Sequence, residues 1–283
     1  MKTVTSISGG KTSAYVAANY PTDYNVFALV RIEDKASQFP NKKIRQLVED
    51  RIQAPFVATA EDDMIVYTML DLEQYIGKEI KWVTGITFDE VVRSKGGWLP
   101  NKLHRYCTSW LKLQPIFDWW VSEIGEPVAM QIGYRAKEMN RVEKMLSKCN
   151  KDGLNEMKAT FGKHQTGRYK GKNKWENVPW RKPVFPLVEN SVFKDEIENY
   201  WEFRPVRFAP LNNCVGCFHR NPILLRKMYD HHPEKMQWFA DQEGGDNGTW
   251  RSDMNYKTIF QHHLQYELSF AEFSECDSGL CGV

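Results

Sequence analysis

The sequence predicts an α/β protein built on a doubly wound parallel sheet, with a smaller, mainly helical and cysteine-bearing region towards the C-terminus. Three observations predict it. Short β-branched runs alternate with helical stretches through the first 150 residues, which implies parallel strands joined by crossover helices. The first of these strands runs directly into a Gly-Gly pair that opens a helix. Cys214, Cys217, Cys276 and Cys281 gather in the last third, where the alternation has stopped.

Taken in order, residues 3–7 (Thr-Val-Thr-Ser-Ile) read as the first strand and the small residues of 13–19 as a helix. Residues 25–30 make a second apolar strand, 42–51 an amphipathic helix and 54–58 a third strand. A helix is expected over 115–124, and a strand over 127–134 that runs into Gly133 and Tyr134. Ligands of such a sheet bind at the carboxyl ends of its strands. Beyond residue 150 the character changes. Lys163, Arg168, Lys170, Lys172 and Lys174 crowd into 163–174 without an acid, within a basic insertion assigned to 151–182. That stretch reads either as a solvated, mobile insertion or as a loop gripping the phosphates of a nucleotide or nucleic acid. Order returns at 183–187, 191–201 reads as a capped helix, and 183–283 forms the C-terminal region.

Composition narrows the function classes. Hydrophobic residues make up 42% and aromatics 13% of 283 residues, which excludes a disordered chain. The 38 Lys and Arg against 36 Asp and Glu leave a net charge of +2, so any polyanion must be met by a local patch. No apolar run approaches the roughly 18 residues of a membrane span, and glycines interrupt the N-terminus before a secretory core can form. The expectation is a cytoplasmic protein without a membrane partner. In that reducing setting the six cysteines read as metal ligands, nucleophiles or buried small residues.

Residues 6–13, Ser-Ile-Ser-Gly-Gly-Lys-Thr-Ser, are the most informative local string. Gly9 and Gly10 let backbone N–H groups approach a phosphate, and the following helix presents its positive end. Ser8, Thr12 and Ser13 add hydroxyls and Lys11 a charge. A Walker A loop needs glycine where this chain has Thr5, so Gly-Lys-Thr is a near miss for that motif.

The string resembles the PP-loop of the adenine nucleotide α-hydrolase-like superfamily, whose Rossmann-like members cleave ATP between its α- and β-phosphates or bind adenylylated sulfate. Many members carry Asp where this chain has Thr12, so metal positioning by that residue does not carry over. Residues 105–115, containing Arg105, Cys107, Thr108, Leu111, Lys112 and Pro115, resemble a signature of the phosphoadenosine-phosphosulfate reductase-like branch. Residues 133–141, containing Gly133, Arg135, Ala136, Glu138 and Arg141, resemble a second motif of that branch. The resemblance spans about residues 1–225 and makes 1–150 the nucleotide-binding domain. Read without it, Arg105, Lys112, Arg135 and Arg141 are cations suited to phosphate or sulfate oxygens. Glu138 stands three places from both Arg135 and Arg141 and can hold either guanidinium.

Cys214-Val215-Gly216-Cys217 has the spacing at which two thiolates chelate one metal. With Cys276 and Cys281 it supplies four ligands for a four-iron, four-sulfur cluster or for zinc. A redox-active dithiol at Cys214 and Cys217 is the competing reading. The resemblance also allows Cys107, Cys214 and Cys217 to hold three corners of a cluster, or Cys281-Gly282 to act as a partial match to a C-terminal nucleophile. His219 is the histidine within ligand reach of the CxxC; the pairs 231–232 and 262–263 read as packing or surface, and Cys149 as incidental.

The resulting expectation is an enzyme that binds ATP, with magnesium, or an adenylylated sulfur nucleotide. Ser8, Gly9, Gly10, Lys11, Thr12, Ser13, Arg105, Lys112, Arg135 and Glu138 are its binding residues, with Lys11, Arg135, Arg141 and Cys107 as its catalytic candidates. In one version ATP adenylates an acceptor, nucleic acid held by 163–174 included, and a sulfur donor protein completes thiolation. In the other a cysteine thiolate attacks adenylylated sulfate with the help of an electron donor, which requires a lowered thiol pKa. A zinc-stapled nucleotide- or nucleic-acid-binding module without turnover is the third reading, kept open by Thr12.

Overall fold

A computed structural model describes residues 1–211, 213–244 and 248–262. Strand β1 (Thr3–Ile7) leads through the glycine loop into α1 (Lys11–Asn19), followed by β2 (Tyr24–Ala28), β3 (Arg31–Ile32), α2 (Lys42–Ile52), β4 (Ala58–Thr59), α3 (Met64–Ile76), β5 (Ile80–Val83) and α4 (Phe88–Ser94). A continuous helical run then comprises α5 (Tyr106–Thr108), a π turn (Ser109–Leu113) and α6 (Gln114–Glu123). After β6 (Val128–Gln131) and α7 (Met139–Leu146) come β7 (Asn155–Lys163), β8 (Asn173–Val184), α8 (Pro186–Glu189) and α9 (Lys194–Glu202). The last described helices are α10 (Pro222–His231), α11 (Pro233–Asp241) and α12 (Tyr256–Gln261). None of the described helices is long and apolar enough to cross a membrane.

The fold is α/β, with a central six-stranded sheet of order β5-β2-β1-β6-β8-β7. All its neighbours run parallel except β7, which is antiparallel to β8. Alternation along the strands sorts side chains to two faces. Ile7 and Phe27 pack with α1, α2, α3 and α9, whereas Val4, Val26, Val128 and Met130 pack with α6, α7 and Trp180. Helices therefore cover both faces, and each face buries its own apolar core. A third apolar cluster joins α4, β3 and β4 to α10, α11 and α12 through Phe88, Trp238, Phe239, Trp250 and Tyr256.

Three sequence expectations are corrected. The basic insertion 151–182 is part of the sheet: β8 pairs with β6 from Val128↔Arg181 to Gln131↔Val184. Its tip is closed by backbone bonds, His164 N–H to Lys172 O at 2.9 Å and Gly171 N–H to His164 O at 2.8 Å. A domain boundary near 150 or 182 would cut the sheet. The strand expected over 54–58 shrinks to the two residues of β4, paired antiparallel with β3. Ser191 does not cap a helix; it takes a positive φ of 54°, and α9 begins after Phe193, which offers no capping side chain.

The motif over 105–115 has a local peculiarity with a local cause. Pro115 has no N–H, so a regular helix cannot close there. One residue earlier Gln114 N–H donates to Ser109 O, a five-residue spacing that widens the turn and turns Lys112 inwards.

Candidate functional site

The chain leaves β1 towards β2 and β5 and later returns to the other side of β1 as β6. Between β1 and β6 the connections therefore diverge, and a crevice opens at their carboxyl ends. The glycine loop follows β1 there, and residues 132–135 follow β6. Gly133 lies so close that a Cβ would be 3.4 Å from Ser13 N and Cα and from Thr12 Cγ2. Gly9 is required twice over: its φ is +85°, and a Cβ would stand 2.5 Å from Ile65 Cγ2 of α3.

Within the loop the hydroxyls do structural service. Ser13 Oγ accepts from Ser8 N–H at 3.1 Å, lies 3.2 Å from Ser8 Oγ and donates to Gly10 O at 3.1 Å. Ser13 thus closes the loop rather than facing a ligand. Gly10, the N-cap, has no side chain to serve the first turn of α1. The first intrahelical bond is Ala14 N–H to Gly10 O, so the N–H groups of Lys11, Thr12 and Ser13 have no intrahelical acceptor. These amides, at a helix N-terminus, are the anion-binding element of the crevice.

The expected cations do not converge on it. Lys11 pairs with Glu198 of α9, while Trp201 Nε1–H donates to Lys11 O at 3.0 Å. Arg135 stays beside the crevice: its backbone N–H donates to Glu138 Oε2 at 2.8 Å and its Nε to the same atom at 3.2 Å. Glu138 also pairs with Arg141, so it holds both guanidinium groups rather than one. Burial raises the Glu138 carboxyl pKa, but the Arg135 N–H bond and the two guanidinium charges outweigh it and hold it below the usual carboxylate range. Arg141 and Arg105 line a separate cleft that no residue of 8–13 touches.

Lys112 is likewise engaged, in a buried ion pair. Its Nζ lies 2.8 Å from Glu61 Oε1 in a pair with side-chain exposures of 16% and 1%. Burial disfavours the ammonium, yet the Glu61 charge and the nearby thiols outweigh it and raise the Lys112 pKa. Glu61 opens an acidic run that sequence reasoning passed over, although Glu61-Asp62-Asp63 is visible as three adjacent carboxylates before an apolar helix. Each has its own base: Lys112 for Glu61, His232 for Asp62 at 3.2 Å and Lys235 for Asp63 at 2.6 Å. His232, expected to be packing or surface, is thus an ion-pair partner. The trio fixes the start of α3, and α3 supplies Ile65 beneath Gly9.

Around Lys112 lie Cys107, Cys214 and Cys217, each within electrostatic range of another. The CxxC turn is stitched to the end of β4 by Val215 N–H to Ala60 O at 2.9 Å. A Cβ on Gly216 would meet the Phe239 ring at 2.3 Å, so glycine here serves close packing. Burial, together with the Cys217 charge, pushes the Cys107 thiol up to about 11. That direction is opposite to what a nucleophile needs. His219 is buried, with neither ring nitrogen partnered among the described residues, and burial with the Arg105 and Lys102 charges holds it down to about 4. No group of three or more His, Cys, Asp or Glu among the described residues is arranged to hold a metal ion. The described cysteines therefore do not by themselves fit a cluster or zinc, and Cys276 and Cys281 lie outside the described residues.

Comparison with family models, curated proteins and solved structures finds no match for this chain.

Proposed function

We propose that the chain is a PP-loop-type enzyme that binds the phosphates of ATP, or of an adenylylated sulfur nucleotide, in the crevice between β1 and β6. One observation carries this reading: a strain-tolerant glycine loop with uncapped helix amides lies at the sheet's switch point, against Gly133. The doubly wound description and the resemblance of residues 105–115 and 133–141 to sulfonucleotide enzymes support the same class.

In the adenylation reaction an acceptor oxygen attacks the α-phosphorus and forms an O–P bond. The bond from that phosphorus to the α–β bridging oxygen breaks, and pyrophosphate leaves as its magnesium complex. The amides of Lys11, Thr12 and Ser13 stabilise the phosphate oxygens, and Arg135, steadied by Glu138, meets charge developing at the α-phosphorus. A sulfide then attacks the activated carbon of the acceptor: the C–S bond forms as the C–O bond to the adenylate breaks, and AMP leaves. Burial holds the Cys107 thiol in its protonated form, so Cys107 itself is not suited to direct thiolate attack on adenylylated sulfate.

Titration calorimetry with magnesium–ATP and with adenylylated sulfate, followed by assays for pyrophosphate and sulfite, tests the proposal. Saturable ATP binding lost in Gly9→Ala, with pyrophosphate release, is the expected result. Sulfite release would establish the reductase reading, and binding of neither nucleotide would overturn both.

A further inference from the structure

A cleft of about 500 Å³ lies between α5, α7 and the base of the β7–β8 hairpin, apart from the glycine loop. Six cations line it, Lys102, Arg105, Arg141, Lys144, Lys148 and Arg181, against one carboxylate, Glu156. Glu156 is turned to Asn150, whose Nδ2 donates to it at 3.0 Å. Arg141 is neutralised from behind by Glu138. Among the described residues the other five have no ion pair.

Arg181 is the telling member. It is 5% exposed, its Nη1 reaches Met130 Sδ at 3.3 Å, and its Nε has no partner. Arg105 Nε is also buried and unpartnered. Burial lowers the Arg181 pKa to about 10, so the guanidinium is still charged at neutral pH. A buried charge without a counter-ion is strongly unfavourable unless an anion arrives to meet it. Two guanidinium forks lining one cleft suit the oxygens of a phosphate group.

The hairpin that forms the cleft's floor extends the same chemistry outwards. Along β8, Trp175 is five residues from Trp180, about 17 Å at the rise of a strand. Trp175 is 56% exposed, with Lys158 Nζ 6.0 Å from its ring centre. Tyr169 at the tip is exposed beside Lys172 Nζ at 5.7 Å, and Phe161 is exposed as well. Exposed aromatic faces interleaved with lysines form the platform on which unpaired bases stack. A duplex hides its base faces, whereas an unpaired strand offers a base face and a phosphate at every residue.

We propose that the cleft and the hairpin bind single-stranded nucleic acid. A backbone phosphate sits against Arg181 and Arg105, and unpaired bases lie on Trp175 and Tyr169. As the route by which an acceptor strand reaches the crevice, this rests on the function proposed above, but the binding itself is measurable without nucleotide.

The test is fluorescence anisotropy of labelled DNA and RNA single strands of about 15 nucleotides, with a duplex of the same sequence as competitor. The expected result is saturable binding that weakens steeply between about 50 and 200 mM salt. Lys144 on α7 and Lys148 just after it are exposed, so Lys144→Gln with Lys148→Gln leaves the fold intact. That pair should reduce the salt slope by about two, and Trp175→Ala should weaken binding about tenfold. Arg181→Met should weaken it further, and if that variant fails to fold, the surface variants decide. No saturable binding at low salt, variants that bind like the parent, or a duplex that competes equally would overturn the proposal. ATP calorimetry on the same samples separates the readings. Nucleotide binding without strand binding removes this proposal alone, and strand binding without binding of either ATP or adenylylated sulfate removes the function proposed above alone.

Discussion

In the glycine-loop crevice almost every side chain is already engaged: Ser13 with Ser8 and Gly10, Lys11 with Glu198, Arg135 with Glu138. What remains for a ligand is backbone N–H, fixed in direction by the fold. In the cleft beside the hairpin the order is reversed: among the described residues five of the six cations have no ion pair, and one of these guanidinium groups is buried. The first arrangement is preorganised for one anion in one pose; the second attracts many anions and selects through the aromatic arm. Both take residues from the segment that follows β6, where Glu138 pairs with Arg135 and with Arg141, so variants can be chosen to strike either or both.

The largest effect is expected at Gly9. Alanine there forces a left-handed backbone on a residue with a Cβ and drives that Cβ into Ile65. Strain and overpacking together should cost about 2–5 kcal/mol. ATP binding should disappear while the folded fraction still binds single strands, as thermal unfolding and paired titrations would reveal. Loss of both activities in a folded variant would mean that the two regions are one site.

Next comes Lys112→Met, which leaves Glu61 buried and unpaired and should cost about 3–5 kcal/mol in urea unfolding. Adding Glu61→Met should recover much of that loss, because an apolar pair can replace a buried ion pair. ATP affinity of the folded protein should change little in either variant. A selective loss of ATP binding in the double variant would return Lys112 to the crevice.

Glu138→Gln strikes both regions at once, since the carboxylate holds Arg135 and Arg141. Both ATP and strand affinity should fall together. The folded pKa of Glu138 lies below its unfolded value, so the carboxylate's stabilisation is present above about pH 4.3 and is lost as pH falls through the folded pKa. At pH 7 the variant should be less stable by about 1–3 kcal/mol, with the gap closing in acid. Denaturant curves at neutral and acid pH check it; a gap that widens in acid would contradict the assigned shift.

The same contrast explains what was legible in the sequence. The strand–glycine–helix unit was readable because Gly9, Gly10 and the β-branched run each answer to a local backbone requirement. Glu138 was readable too, since its partners lie three residues away. The β7–β8 hairpin was not: most of its residues face solvent on both sides, so no period-two pattern marks it, and its lysines resemble a loop. Lys112 was assigned to phosphate because its motif gives charge and spacing, whereas its partner Glu61 is 51 residues distant and meets it only through the fold. Arg181 is one basic residue among many in the sequence, and that it is buried with no ion pair among the described residues is visible only in three dimensions.

The smallest effect is expected at Lys11. Its pair with Glu198 is about one-third exposed on each side (31% and 36%). Such a pair contributes about 0–1 kcal/mol, so Lys11→Met should barely move the unfolding midpoint. Its effect on ATP separates two accounts of the crevice. If backbone amides provide the phosphate contact, Glu198 and the nucleotide compete weakly for one flexible ammonium. Lys11→Met should then lower ATP affinity by less than about tenfold, a change of under 1.4 kcal/mol, and Glu198→Gln should raise it slightly. A hundredfold loss in Lys11→Met, with folding intact, would instead make the lysine the principal phosphate ligand and reduce Glu198 to a latch that opens when nucleotide binds.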